Sequence, residues 1–267
     1  MNNQPLRFSN FLAFNVNATY EAICAVIERE LNIPTTFSEG QSFDQFFRDE
    51  VDVGYICGLP YSKLVRLENA PFELLVAPVF NEARAAGQPV YFSDVIVPHD
   101  SPFQTFDDLA GCTFTYNESV SYSGYHVMAW HLAQQGRDWH FFGKRVKSGA
   151  HVNSIDAIAN ARADAAAVDS QTLSAALRLD PMLADRVRVI DVIGPSPHPP
   201  VVVGRGVSAE LKAQLRDIYL NLHLDPDLQP ILHAGSIERF VEVDDAYYDT
   251  IRERVDSSEI MFTSIGC

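Results

Sequence analysis

From Leu6 to Phe80 the chain alternates strand-length apolar runs with helix-period segments, and few folds accommodate that rhythm. Residues 6–14 read as a strand. Asn17 is placed to cap a helix that carries Ile23, Val26, Ile27 and Leu31 at helical spacing. Residues 33–37 predict a second strand and 42–48 a short helix. Val51, Val53, Tyr55 and Cys57 alternate through a third strand over 51–57. It runs into Gly58-Leu-Pro-Tyr-Ser62, where Pro60 suits a first helical turn. Residues 72–80 form a fourth strand. Strands alternating with helices imply parallel βαβ units and an open α/β sheet. Ligands of such sheets bind beyond the carboxyl ends of the strands, where the Gly58–Ser62 turn falls.

The same rhythm continues. Residues 89–97 predict a strand, and Phe106-Asp-Asp-Leu-Ala-Gly111 a helical turn stopped by glycine. Then comes Thr113-Phe-Thr-Tyr-Asn-Glu-Ser-Val-Ser-Tyr-Ser-Gly-Tyr-His126: a short strand, a polar loop with Ser119, Ser121 and Ser123, and a helix opening near Gly124. Tyr125, Met128, Ala129 and Leu132 keep helical spacing and Gly136 ends the helix. A helix start leaves unsatisfied N–H groups and a partial positive charge, so hydroxyls there make an anion site. Gly124 would let the backbone approach a ligand. The plainer reading is that one serine simply caps the helix.

Further on, Lys144, Arg145 and Lys147 read as a solvated basic face. His151 and Ser154 lead into a helix with Ile155 and Ile158. Residues 165–168 predict a small-residue strand ending at Asp169, residues 170–177 a helix, and 187–193 a strand. Gly194-Pro-Ser-Pro-His-Pro-Pro200 holds four prolines in seven residues, which excludes an interior strand or helix. Residues 201–203 are again a strand, followed by helices over 209–222, 225–234 and 244–255.

Charge narrows the function. Twenty Lys and Arg against 35 Asp and Glu give −15, which argues against nucleic acid or an anionic membrane surface as partner. A small anion remains open, because local donors hold a buried ligand. No apolar run is long enough to insert in a membrane. The first residues show no signal peptide, so the chain is expected to be either a mature form or a cytoplasmic protein. Cys24, Cys57, Cys112 and Cys267 lack metal-ligand spacing, and the eight histidines are scattered. No metal or cofactor is expected. Nor is an enzyme: no nucleophile elbow, P-loop or dinucleotide fingerprint is present.

Gly87-Gln-Pro-Val-Tyr-Phe-Ser-Asp-Val95, Asp100-Ser-Pro102, Phe106–Gly111, Ser121-Tyr-Ser-Gly-Tyr125 and the stretch from Ile158 to Asp169 occur in a consistent order. Together they resemble the phosphate/phosphite/phosphonate-binding proteins of ABC transporters. The resemblance implies a type II periplasmic-binding-protein fold of two α/β lobes joined by two crossing segments, closing on a ligand like a hinge. Residues 1–92 and 196–267 would form the first lobe and 93–195 the second, with crossings near Tyr91–Ser93 and Gly194–Pro200. It implies capture of a small anion such as phosphonate, phosphite or phosphate, with an ABC permease as partner. Ser121 and Ser123 match hydroxyls that hold the ligand's oxygens, His151 a histidine reaching the same oxygens, Tyr91 a hinge aromatic, and Asp169 an acidic residue opposite the anion. Asp169 equally suits a cap for the helix at Ser170, His151 a capping role, and Tyr61 core packing in place of a ligand contact. Tyr122 stands where the family usually has threonine, so an aromatic is expected to narrow the pocket. A cytoplasmic ligand sensor is one alternative. An enzyme of the thiamine-pyrimidine-synthase type is another, though its cysteine-rich signature is missing.

Overall fold

The computed structural model describes residues 4–12 and 16–265, with side chains to Ser258. The elements in chain order are β1 (Leu6–Asn10), α1 (Asn17–Leu31), β2 (Thr35–Glu39), α2 (Asp44–Phe47), β3 (Val53–Tyr55), α3 (Gly58–Leu64) and β4 (Phe72–Phe80). There follow β5 (Val90–Pro98), β6 (Thr113–Tyr116), α4 (Val127–Gln134), β7 (Lys144–Lys147), α5 (His151–Ala159), β8 (Ala165–Asp169), α6 (Ser170–Leu179) and β9 (Val187–Pro197). The chain ends with β10 (Val201–Gly204), α7 (Ala209–Asn221), α8 (Gln229–Ala234), β11 (Ile237–Val241) and α9 (Asp249–Ile265).

The chain divides into two compact units, Met1–Val90 with Pro197–Asp249, and Tyr91–Ser196 with Thr250–Cys267. The expected first lobe held all of 196–267 together. In the structure that tail divides at Asp249, and Ile251, Val255 and Ser258, a helical i, i+4, i+7 set, are buried in the second unit.

The first unit is built on a six-stranded sheet of order β11-β4-β10-β3-β1-β2. β1 runs parallel to β2 and β3, as the βαβ rhythm requires, but β10 and β11 join antiparallel. The sheet is therefore mixed: the expected parallel βαβ units are joined by antiparallel strands. Strand β11 was unforeseen, because five residues with two charges carry little pattern until β4 pairs with them. Of the expected strand over 6–14, residues 6–10 are strand and 13–14 lie outside the described residues, as does Cys267. The core joins Phe8, Ile23, Ile27, Val53, Leu75, Val201 and Leu215. Inside it Tyr55 Oη and Tyr219 Oη share a hydrogen bond of 2.7 Å, and Tyr20 stacks on Tyr55 at 3.6 Å.

The second unit has a five-stranded sheet of order β7-β6-β8-β5-β9. β6 is parallel to β7 and β8, and β5 is antiparallel to β8. Ala166 and Val168 of β8 pack on Ile155, Ile158 and Leu173. The proline-rich stretch is not wholly a connection: β9 continues through Pro195 to Pro197. This is permitted because β9 is an edge strand, where a missing N–H costs no interior ladder bond. The basic Lys144–Lys147 segment is the other edge, β7, and exposed charges there oppose pairing with a second sheet.

The buried tyrosine pair sets a stability expectation. Tyr219→Phe strands the Tyr55 hydroxyl and should cost roughly 1–3 kcal/mol, whereas the Tyr55→Phe/Tyr219→Phe double variant should recover part of it. Denaturant melts of the two variants and the wild type check this; equal losses for single and double would refute it.

Candidate anion-binding site

The site grows from the carboxyl end of β6. After Tyr116 the loop turns at Glu118–Ser121, with Ser121 N–H donating to Glu118 O at 3.1 Å. Residues Tyr122–His126 form a single π-helical turn, closed by His126 N–H to Ser121 O, and α4 follows directly. The helix was expected to open near Gly124; the wider turn starts it two residues earlier. Ser121 Oγ accepts from Gly124 N–H at 3.2 Å, so Ser121 is the cap of this turn.

Ser123 faces a second helix start. Its Oγ lies 3.1 Å from His151 Nε2, and His151 is the first residue of α5. Two helix N-termini thus meet through one side-chain hydrogen bond, each bringing oriented N–H dipoles. Ser93 of β5 adds a third tie, its Oγ donating to Ser123 O at 2.6 Å. Burial pushes the His151 pKa down to about 4, so the ring is neutral near pH 7. A neutral imidazole bonded at Nε2 offers two arrangements. Either Nε2–H donates to Ser123 and leaves the serine proton for a ligand, or the serine donates and Nδ1 carries the proton.

Asn117 is the residue that sequence reading missed. Its Oδ1 and His151 Nδ1 are both buried without a hydrogen-bond partner among the described residues. Both side chains press on Gly124: a Cβ built there would stand 2.0 Å from Asn117 Oδ1 and 3.1 Å from His151 Cε1. The bare Cα of Gly124, expected to admit a ligand, admits these two side chains. Nothing in the spacing of Asn117, in the loop after β6, marks this contact in the sequence.

The other expected residues fall as follows. Asp169, opposite Ser93 in the β5–β8 ladder, caps α6: its Oδ1 accepts from Gln171 N–H and Thr172 N–H at 2.9 and 3.0 Å. Tyr91 is buried at the start of the second unit, and the N–H of Phe92 beside it donates to Ser170 Oγ. Tyr122 lies in the π-turn. Its ring is buried and its hydroxyl lies 3.5 Å from Ser196 Oγ and 3.4 Å from Arg254 Nη1. Tyr61 is fully buried within the first unit, donating to Asp245 Oδ1 at 3.0 Å and packing on Tyr248 and Phe72, the core environment.

Two expectations follow. Gly124→Ala must displace Asn117 or the turn, and circular dichroism melts should show a loss of roughly 1–3 kcal/mol; an unchanged melt would refute the close approach. For His151 the folded pKa of about 4 lies below the unfolded value of 6.5. Between those values the unfolded chain binds more protons, so stability falls on acidification from about pH 6.5 to 4 and levels off below. The shift corresponds to at most about 3 kcal/mol. His151→Gln should lose less melting temperature than the wild type over that window. Identical pH profiles would sink the assignment.

The profile of the family described as "ABC transporter, phosphonate, periplasmic substrate-binding protein" matches residues 9–248. The phosphonates-binding periplasmic protein of Escherichia coli (strain K12) is 28% identical over 163 residues, covering 58% of this chain and 47% of that protein. The chain thus aligns with about half the length of that relative. Among solved structures, a binding protein component of an ABC phosphonate transporter from Pseudomonas aeruginosa superposes with a TM-score of 0.83 at 21% identity, over 98% of this chain and 89% of that one. A protein from Prochlorococcus marinus in complex with methylphosphonate gives 0.79 at 16% identity, over 95% and 97%. Each unit here is an α/β sheet layered with helices, and the fold is that of the type II periplasmic binding proteins. The chain belongs to the family of phosphonate periplasmic substrate-binding proteins of ABC transporters.

Proposed function

We propose that this chain binds a small tetrahedral oxyanion of the phosphonate, phosphite or phosphate class in the periplasm, delivers it to an ABC permease, and does not transform it. The observation that carries the reading is the Ser123–His151 junction of two helix starts, where hydroxyl, imidazole and backbone N–H groups converge. Helix starts suit anions because their N–H groups are oriented before the ligand arrives. Family membership makes phosphonate the first ligand to test. With His151 neutral and a net charge of −15, affinity comes from short-range donors and not from long-range attraction. Asp169 is engaged as a helix cap, so a ligand ammonium group is not required by this reading. No helix among the described residues is long and apolar enough to cross a membrane, which suits a carrier that meets its permease from outside the bilayer.

Calorimetric titration with methylphosphonate, phosphite, phosphate and methanesulfonate tests the proposal. At least one phosphorus oxyanion should bind, and Ser123→Ala or His151→Ala should weaken it by about 1–3 kcal/mol per lost bond, some five- to a hundred-fold. Wild-type affinity in both variants would place the ligand elsewhere. Phosphate released over time from bound methylphosphonate would show an enzyme.

A further inference from the structure

Tyr122 sits between the two serines of the turn, and what holds it lies 132 residues away in sequence. Arg254 of α9 donates from Nη1 to Ser196 Oγ at 2.9 Å and reaches Tyr122 Oη at 3.4 Å. Its guanidinium carbon stands 4.5 Å over the ring of Trp130, on α4. One side chain therefore touches the turn, the helix the turn opens, and the proline-rich end of β9. Ser196 is itself only 2% exposed, so the guanidinium meets a closed surface and not solvent on that side.

Several arginines pair with carboxylates, as Arg7 does with Asp52 and Arg66 with Asp249, while Arg188 is held by the backbone carbonyls of His99, Ser101 and Phe103. Arg254 has no carboxylate in ion-pairing range among the described residues; its contacts are two hydroxyls and an indole face. In a protein of charge −15, a half-buried guanidinium so placed has no compensating carboxylate among the described residues beside the turn. A charge partly withdrawn from water and unmatched by the protein is costly, and an anion nearby offsets that cost. Lys147 does not serve this purpose, since it is paired with Glu118.

We infer that Arg254 is a positioning residue for the anion turn: through Tyr122 and Ser196 it sets the Ser121–Ser123 backbone, and its unpaired charge favours the bound anion over the empty turn. The inference rests on the function proposed above. It also accounts for tyrosine at position 122, whose hydroxyl reaches the guanidinium.

The test begins with methylphosphonate titrated into the wild-type chain. Absence of binding there, and to phosphite and phosphate, overturns the proposed function and this inference with it. Given wild-type binding, Arg254→Gln should weaken methylphosphonate about tenfold or more, and Arg254→Lys should recover most of that loss because it restores the charge. A purely structural arginine would leave the lysine and glutamine variants equally impaired, with affinity tracking the melting temperature. That result, or wild-type affinity in Arg254→Gln, overturns the inference. If Arg254→Gln does not fold, the double variant Tyr122→Phe/Ser196→Ala cuts the tether and keeps the charge. It should bind methylphosphonate several-fold more weakly at near-wild-type melting temperature, and undiminished affinity overturns the positioning role.

Discussion

The hydrogen bond of 3.1 Å between Ser123 Oγ and His151 Nε2 joins the start of the π-turn and α4 to the start of α5. Both helices follow strands of one parallel set: β6 leads to the turn, and β7, its parallel neighbour, leads to α5. Parallel neighbours end on the same edge of a sheet, so their following helices begin on the same edge. The local dipoles then point the same way, and one side-chain contact suffices to hold them in register. Ser93 from antiparallel β5 locks the Ser123 carbonyl from the other side. Remove the parallel pairing of β6 and β7 and neither the histidine nor the serines would have a common place to meet.

Polarity at this edge is arranged without a cationic histidine. Burial holds His151 neutral, and the same effect pushes His198 in the first unit down to about 3. Neutral donors discriminate by direction and distance more than by charge. The π-turn contributes to this arrangement. Its wider circuit places Gly124 against Asn117 and His151, so two buried polar atoms without partners among the described residues stand next to the serines. Buried polar groups of that kind are uncommon in folded proteins and concentrate where function demands them.

The two edges of the second unit's sheet follow a different logic. β9 carries Pro195 and Pro197 where an interior strand would not tolerate them, and β7 exposes Lys144, Arg145 and Lys147. Both devices deny a foreign strand a partner while leaving the chain free to leave the sheet. Through Ser196 the same proline-rich edge touches Arg254, so its rigidity is shared with the C-terminal helix.

Local periodicity alone determined much of this protein. The alternation of strands and helices through residue 80, the serine-rich turn before α4, the helix beginning at His151 and the cap at Asp169 were legible because each depends on residues within a few positions of one another. The ordered run of motifs from Gly87 to Asp169 made the family legible as well. Tertiary structure decided what local pattern cannot encode. It made both sheets mixed, since antiparallel joining of β10, β11 and β5 depends on pairings across the chain. It ended the first unit at Asp249 and gave α9 to the second, since burial of Ile251 and Val255 depends on a surface assembled elsewhere. It also placed the Tyr122 hydroxyl beside Arg254 and brought Asn117 onto Gly124. Those contacts depend on how a helix 132 residues distant packs and on the shape of a single π-turn, and neither leaves a trace in the spacing of side chains.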